Sequence, residues 1–115
     1  MSSYTPLEDG LYAFVKRACP TCTLIEPQLR EAAGAVSGFR VVSQDDPQFP
    51  RDVAAVVDDR ELDHSFVQGI EYTPTLVRVQ NGRATERVVG WDRAAWQRLT
   101  GLPTLGATLP ALRPG

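Results

Sequence analysis

Phe14-Val15-Lys16-Arg17-Ala18-Cys19-Pro20-Thr21-Cys22 is the stretch that decides the fold. It joins the end of an apolar run to the start of a helix, and it carries the two cysteines of the chain. Two cysteines placed at random in a chain of this length fall three apart on the order of once in sixty times. With no third cysteine there is no disulfide framework. The thiol content is this one pair.

Before the pair, Leu11 to Val15 is a short apolar run of strand formers, the pattern of a buried strand. After it, Cys22, Leu24, Ile25, Leu29, Ala32, Ala33 and Val36 recur near helical spacing. Pro20 suits the first turn, where its missing N–H is not needed. Pro27, inside the pattern, predicts a kink. Gly34 and Gly38 bracket the helix end, and Phe39 to Ser43 reads as a second strand. Strand, helix and strand in ~35 residues make a βαβ unit with parallel strands and a right-handed crossover.

Pro47 and Pro50 break the following stretch. Val53, Val56 and Val57 predict one short helix, and Leu62, Phe66 and Val67 predict another ending at Gly69. Thr75 to Val79 is a strand, Asn81-Gly82 a hairpin turn, and Thr85 to Val89 the returning strand. Asp92 caps a helix over Arg93 to Thr100, with Trp96 on its core face. The order is β-α-β, a helical insert, then β-β-α: an α/β fold with a mixed sheet of about four strands and flanking helices. Residues 1–101 form the domain, and residues 102–115 an irregular Pro- and Gly-rich tail.

Composition bounds the function. The chain has 115 residues, 43% apolar and 23% charged, with a formal net charge of −2. Eleven arginines and Lys16 are scattered, so nothing points to nucleic acid or to an anionic membrane. No apolar run approaches the ~20 residues of a membrane span. Met1 to Pro6 lacks a basic start and an apolar core, so no signal peptide is visible, and the expected location is the cytoplasm. Zinc needs about four ligands, and beyond the cysteines only His64 and carboxylates are on offer, so neither metal nor cofactor is expected. His64 reads as a surface or capping residue, and Asp58, Asp59, Glu61 and Asp63 as a solvated face.

A cysteine at a helix start faces free backbone N–H groups and the positive end of the helix dipole, which favour a thiolate. A second thiol one turn later is more shielded and can resolve a mixed disulfide. Cys19 is therefore the candidate nucleophile and Cys22 the resolving thiol. Lys16 and Arg17 are candidate cations for tuning Cys19. Thr21 adds a hydroxyl that could bond locally.

These features together resemble the thioredoxin-like superfamily, over about Leu11 to Leu102. The strand leading to the CxxC, Pro27 five positions after the second cysteine, Gly69-Ile70-Glu71-Tyr72-Thr73-Pro74-Thr75-Leu76, Asn81-Gly82 and Gly90-Trp91 occur in the family's order. The resemblance implies a thioredoxin-like fold and a cis Thr73–Pro74 bond facing the cysteines. It also implies a groove formed by Tyr72, Thr73, Pro74, Gly90 and Trp91, in which the Thr73 backbone pairs with an extended substrate segment. The implied activity is protein-disulfide oxidoreduction by a monomer, with thioredoxin reductase or glutathione as reductant. Ala13 stands where thioredoxins carry a buried acid, and Ala18 where they carry Trp. Pro20 and Lys16 resemble glutaredoxins instead, which gives a glutathione-linked reductase as the alternative. A non-catalytic interaction module of a longer protein is the third reading.

Overall fold

The computed structural model describes residues 5–115; the first four residues of the N-terminal stretch read for a signal peptide lie outside them. The elements run β1 Gly10–Val15, α1 Pro20–Leu24, α2 Glu26–Ala35, β2 Phe39–Ser43, β3 Val57–Asp58, α3 Asp63–Val67, β4 Thr75–Gln80, β5 Arg83–Val89, β6 Trp91–Asp92, α4 Arg93–Thr100 and β7 Leu112–Arg113. The main sheet has five strands in the order β3-β2-β1-β4-β5. β1 pairs parallel with β2, as the βαβ reading requires, and antiparallel with β4. The architecture is a mixed sheet with flanking helices.

β1 sits in the middle of the sheet, and its alternation explains its sequence. Leu11, Ala13 and Val15 enter one apolar cluster with Cys22, Ile25, Leu29, Leu76 and Trp96. Tyr12 and Phe14 enter a second, on the opposite face, with Val42, Val77 and Val79. A strand buried on both faces has no polar positions, so it reads as a continuous apolar run. Its start is fixed by a close approach at Gly10, where a Cβ would lie 2.4 Å from the Gly38 carbonyl oxygen. That contact lets the Leu11 amide donate to the Gly38 carbonyl at 3.1 Å.

The helix behind the cysteines breaks at Ile25 (φ −94°, ψ 10°), which ends α1 and begins α2, and Pro27 lies in the first turn of α2. A proline there needs no hydrogen-bond acceptor for its nitrogen, so the break costs little. Asn81 and Gly82 both have positive φ (54° and 77°), the conformation of a two-residue type I′ hairpin.

The insert departs from expectation. Val53 to Val57 is not helical: residues 51–55 run as turns, and Val57–Asp58 forms the fifth strand, parallel to the end of β2. Val57 follows the edge of the second apolar cluster, so its burial comes from the sheet rather than from a helix face. α3 forms where the second helix is expected, but Phe66 is 87% exposed and Val67 half-exposed. Its anchor is polar. The buried Asp59 carboxylate accepts from the His64 and Ser65 amides and from the Ser65 hydroxyl.

Residues 102–115 run as turns that end in β7, which pairs antiparallel with β6. Leu105 is fully buried in the first apolar cluster, and Leu109 packs against it.

Candidate active site at the cysteine pair

Cys19 is the N-cap residue of α1, with extended backbone (φ −87°, ψ 119°). This conformation turns its Sγ back over the helix start, where it accepts a hydrogen bond from the Cys22 amide at 3.3 Å. The Cys19 thiol in turn donates to the Thr73 carbonyl oxygen at 3.3 Å, across 54 residues of sequence. The Thr73–Pro74 peptide is cis, as is Phe49–Pro50. The first thiol is thus held between the CxxC turn and the loop that opens β4.

The two thiols differ in their surroundings. Cys19 retains 4% exposure and borders a cleft of about 340 Å³ lined also by Lys16, Pro20, Tyr72 and Thr73. Cys22 has no exposed surface. Burial, followed by its side-chain hydrogen bond with Cys19, pushes the Cys22 thiol up to about 12; hydrogen bonds with the Lys16 backbone and Thr73 act in the opposite sense. The leading causes are burial, Cys19, the Lys16 backbone and Thr73. Ala13, fully buried in the cluster that includes Cys22, supplies no carboxylate.

Of the two candidate cations, Lys16 lines the cleft and Arg17 does not. Arg17 turns to Asp46, with Nη1 3.2 Å from Oδ2, on the wall of a separate hollow of about 450 Å³ that contains neither cysteine. The Arg17 and Ala18 amides are occupied as well. Both donate to the Asp45 carboxylate, at 2.7 and 3.0 Å. Asp45 therefore pins the turn that presents Cys19, a role the sequence reading did not assign. The available signal was the Asp45-Asp46 pair just past the second strand, and it becomes informative only when β1 and β2 are known to be parallel neighbours.

Thr73, Pro74 and Gly90 lie together: the Gly90 amide donates to the Pro74 carbonyl at 2.7 Å. Tyr72 is 60% exposed at the cleft rim. Trp91 is placed differently from the groove position implied for it. It is 1% exposed, stacks obliquely on Trp96 at 5.2 Å, and donates from Nε1 to the Pro110 carbonyl at 2.9 Å. Its indole belongs to the core, under the tail. Thr21 also differs from expectation: its hydroxyl donates not to a local group but to the Pro114 carbonyl, at 2.6 Å.

A search of solved structures returns the thioredoxin Mala s 13 of Malassezia sympodialis, with a TM-score of 0.53 and 22% identity over 83% of this chain and 77% of that one. The fold is thioredoxin-like. No family model matches the chain, and no curated protein matches it. Among the described residues no helix is long and apolar enough to cross a membrane, and no group of three or more His, Cys, Asp or Glu side chains is arranged to hold a metal ion.

Proposed function

We propose that this chain is a thiol–disulfide oxidoreductase acting on protein disulfides, with Cys19 as nucleophile and Cys22 as resolving thiol. One observation carries the reading: Cys19 caps α1 with its sulfur within hydrogen-bond reach of both the Cys22 amide and the Thr73 carbonyl. An attacking sulfur, a resolving thiol one turn away and a backbone edge for substrate then share one site.

The chemistry balances as two exchanges. Cys19, as thiolate, attacks one sulfur of a substrate disulfide; the other substrate sulfur leaves and takes a proton. Cys22 then attacks the Cys19 sulfur of the mixed disulfide. Its proton goes to the departing substrate thiolate, leaving a Cys19–Cys22 disulfide and a reduced dithiol substrate. Two electrons have moved, and an external thiol donor, glutathione or the dithiol of a thioredoxin reductase, restores the pair. Lys16 tunes the cleft electrostatically, and Tyr72, Thr73, Pro74 and Gly90 form its substrate side. The protein acts as a monomer in the cytoplasm, and residues 1–101 carry the catalysis.

The position of Lys16 beside Cys19 favours a second reading, in which the cleft accepts the carboxylate of glutathione. Both readings are tested by trapping. Cys22→Ser, incubated with a disulfide-bonded protein, should accumulate a mixed disulfide through Cys19, seen as a mass adduct lost on adding dithiothreitol. An adduct absent from Cys19 refutes the assignment. Preferential trapping of glutathione over protein selects the second reading.

A further inference from the structure

The tail lies across the candidate substrate track. β7 pairs with β6, in register Trp91 to Arg113 and Asp92 to Leu112. The Arg93 amide donates to the Ala111 carbonyl at 2.9 Å, continuing the same ladder. The Pro114 carbonyl accepts from Thr21, inside the CxxC itself. At Gly90 an added Cβ would lie 3.1 Å from the Arg113 carbonyl oxygen and 3.4 Å from the Pro114 Cα. Gly115 reaches the cleft beside Cys19 and packs so closely on the Thr73 backbone that a Cβ there would lie 1.8 Å from the Thr73 carbonyl oxygen. Thr21, Thr73 and Gly90 are thus all touched by one segment of the chain's own backbone.

We propose that residues 111–115 are a strap that occupies the substrate track in the resting protein, so that a closed strap and a docked substrate segment exclude each other. This rests on the oxidoreductase reading for the meaning of the track, but not for the contact. The strap also defines what replaces it. The incoming segment is extended, pairs its backbone along Trp91–Asp92, and presents a small residue to the Thr73 carbonyl, where the site admits only glycine while closed. Folded substrates with rigid loops do not meet this requirement; flexible or unfolded disulfide segments do.

Anchoring is light enough to release. Leu112, Arg113, Pro114 and Gly115 are exposed, and the attachment near Cys19 is one hydroxyl hydrogen bond and one glycine contact. The deeper hold, at Leu105, Leu109 and Pro110, lies upstream. A swing from Ala111 outward also breaks the short β6–β7 pairing, while the core, held at Leu105 and Leu109, remains closed.

The test measures access to Cys19 rather than turnover. Gly115→Ala places a methyl group on the Thr73 carbonyl and should force the strap off. Thr21→Val removes the hydroxyl bond at nearly constant volume. The readout is the rate of Cys19 alkylation by iodoacetamide at its pH-independent plateau, which separates access from ionisation. Loss of one hydrogen bond shifts an opening equilibrium about fivefold. Thr21→Val should therefore speed alkylation by about that factor, and Gly115→Ala at least as much, both with unchanged circular dichroism. Rates within a factor of about 1.5 of the parent in both variants overturn the strap. Faster alkylation without any mixed disulfide in the Cys22→Ser trap leaves the strap standing and removes the oxidoreductase reading. A trap that works with unchanged alkylation rates does the reverse.

Discussion

Raising the pH of the reduced protein from 8 to 10.5 should strip away stability that Cys22 contributes at neutral pH. The Cys22 thiol is pushed from 9.0 up to about 12, chiefly by burial, and regains its ordinary value when the chain unfolds. Between those two values the unfolded state has lost a proton that the folded state still binds, so unfolding becomes easier as pH rises. A raised value means that the contribution is complete below pH 9 and is lost on the way to 12. Linkage makes the loss on the order of 1 kcal/mol at pH 10 and about 2 kcal/mol at pH 10.5. Urea unfolding under a reducing buffer measures it, against Cys22→Ala as reference. That variant carries a constant cavity penalty but no thiol. The Tyr12 phenol is also pushed up by burial, and it cancels because both proteins contain it. The stability gap between the two proteins should therefore shrink by about 2 kcal/mol across the range. A gap independent of pH would show that Cys22 titrates alike in folded and unfolded chains, and the reasoning from burial would fail.

Two further substitutions test the scaffold. Asp45→Ala frees the Arg17 and Ala18 amides at an exposed turn; it should cost about 1 kcal/mol in urea unfolding and slow Cys19 alkylation or mixed-disulfide formation more than it lowers stability. Leu105→Ala removes a fully buried side chain that ties residues 102–115 to the core, and it should cost about 2–5 kcal/mol by the same measurement.

The elements that could be read from the sequence are those whose signals are local. β1 is apolar on both faces, the α1–α2 break at Ile25 lies just before Pro27, and Asn81-Gly82 has the turn conformation its residues prefer. The Cys19 position also follows from local pattern, because an N-cap cysteine and its i+3 partner are set by one helical turn. Contacts made by distant segments were not readable. Val57 looked helical because its neighbours Val53 and Val56 fall at helical spacing, yet β2 offers it an open edge. Phe66 and Val67 marked α3 through their pattern, although the force that fixes α3 is the buried Asp59 carboxylate. Trp91 follows a glycine at the expected groove, but its indole turns inward because Trp96 and the Pro110 carbonyl satisfy its ring and its N–H. The Thr21 partner lies 93 residues away, in a tail whose composition suggested no structure.

The raised Cys22 thiol poses a kinetic problem that the site itself answers. A thiol titrating near 12 is almost wholly protonated at neutral pH, and a resolving cysteine must lose that proton to attack. Two of the causes that hold the proton on Cys22 come from Cys19: a side-chain hydrogen bond and a charge interaction. Once Cys19 is tied into a mixed disulfide it is neither a thiolate nor a thiol, and both causes weaken. Burial then stands against the lowering contributions from the Lys16 backbone and Thr73. In the proposed cycle, formation of the mixed disulfide would therefore ease its own resolution without a dedicated carboxylate, in keeping with alanine at position 13. Cys19→Ala imitates the loss of both Cys19 contributions. In that variant the Cys22 thiol, followed by the thiolate absorbance near 240 nm, should titrate below the parent value of about 12. An unchanged or higher titration in Cys19→Ala would mean that burial alone holds the proton, and that deprotonation of Cys22 requires a base contributed by the substrate or the solvent.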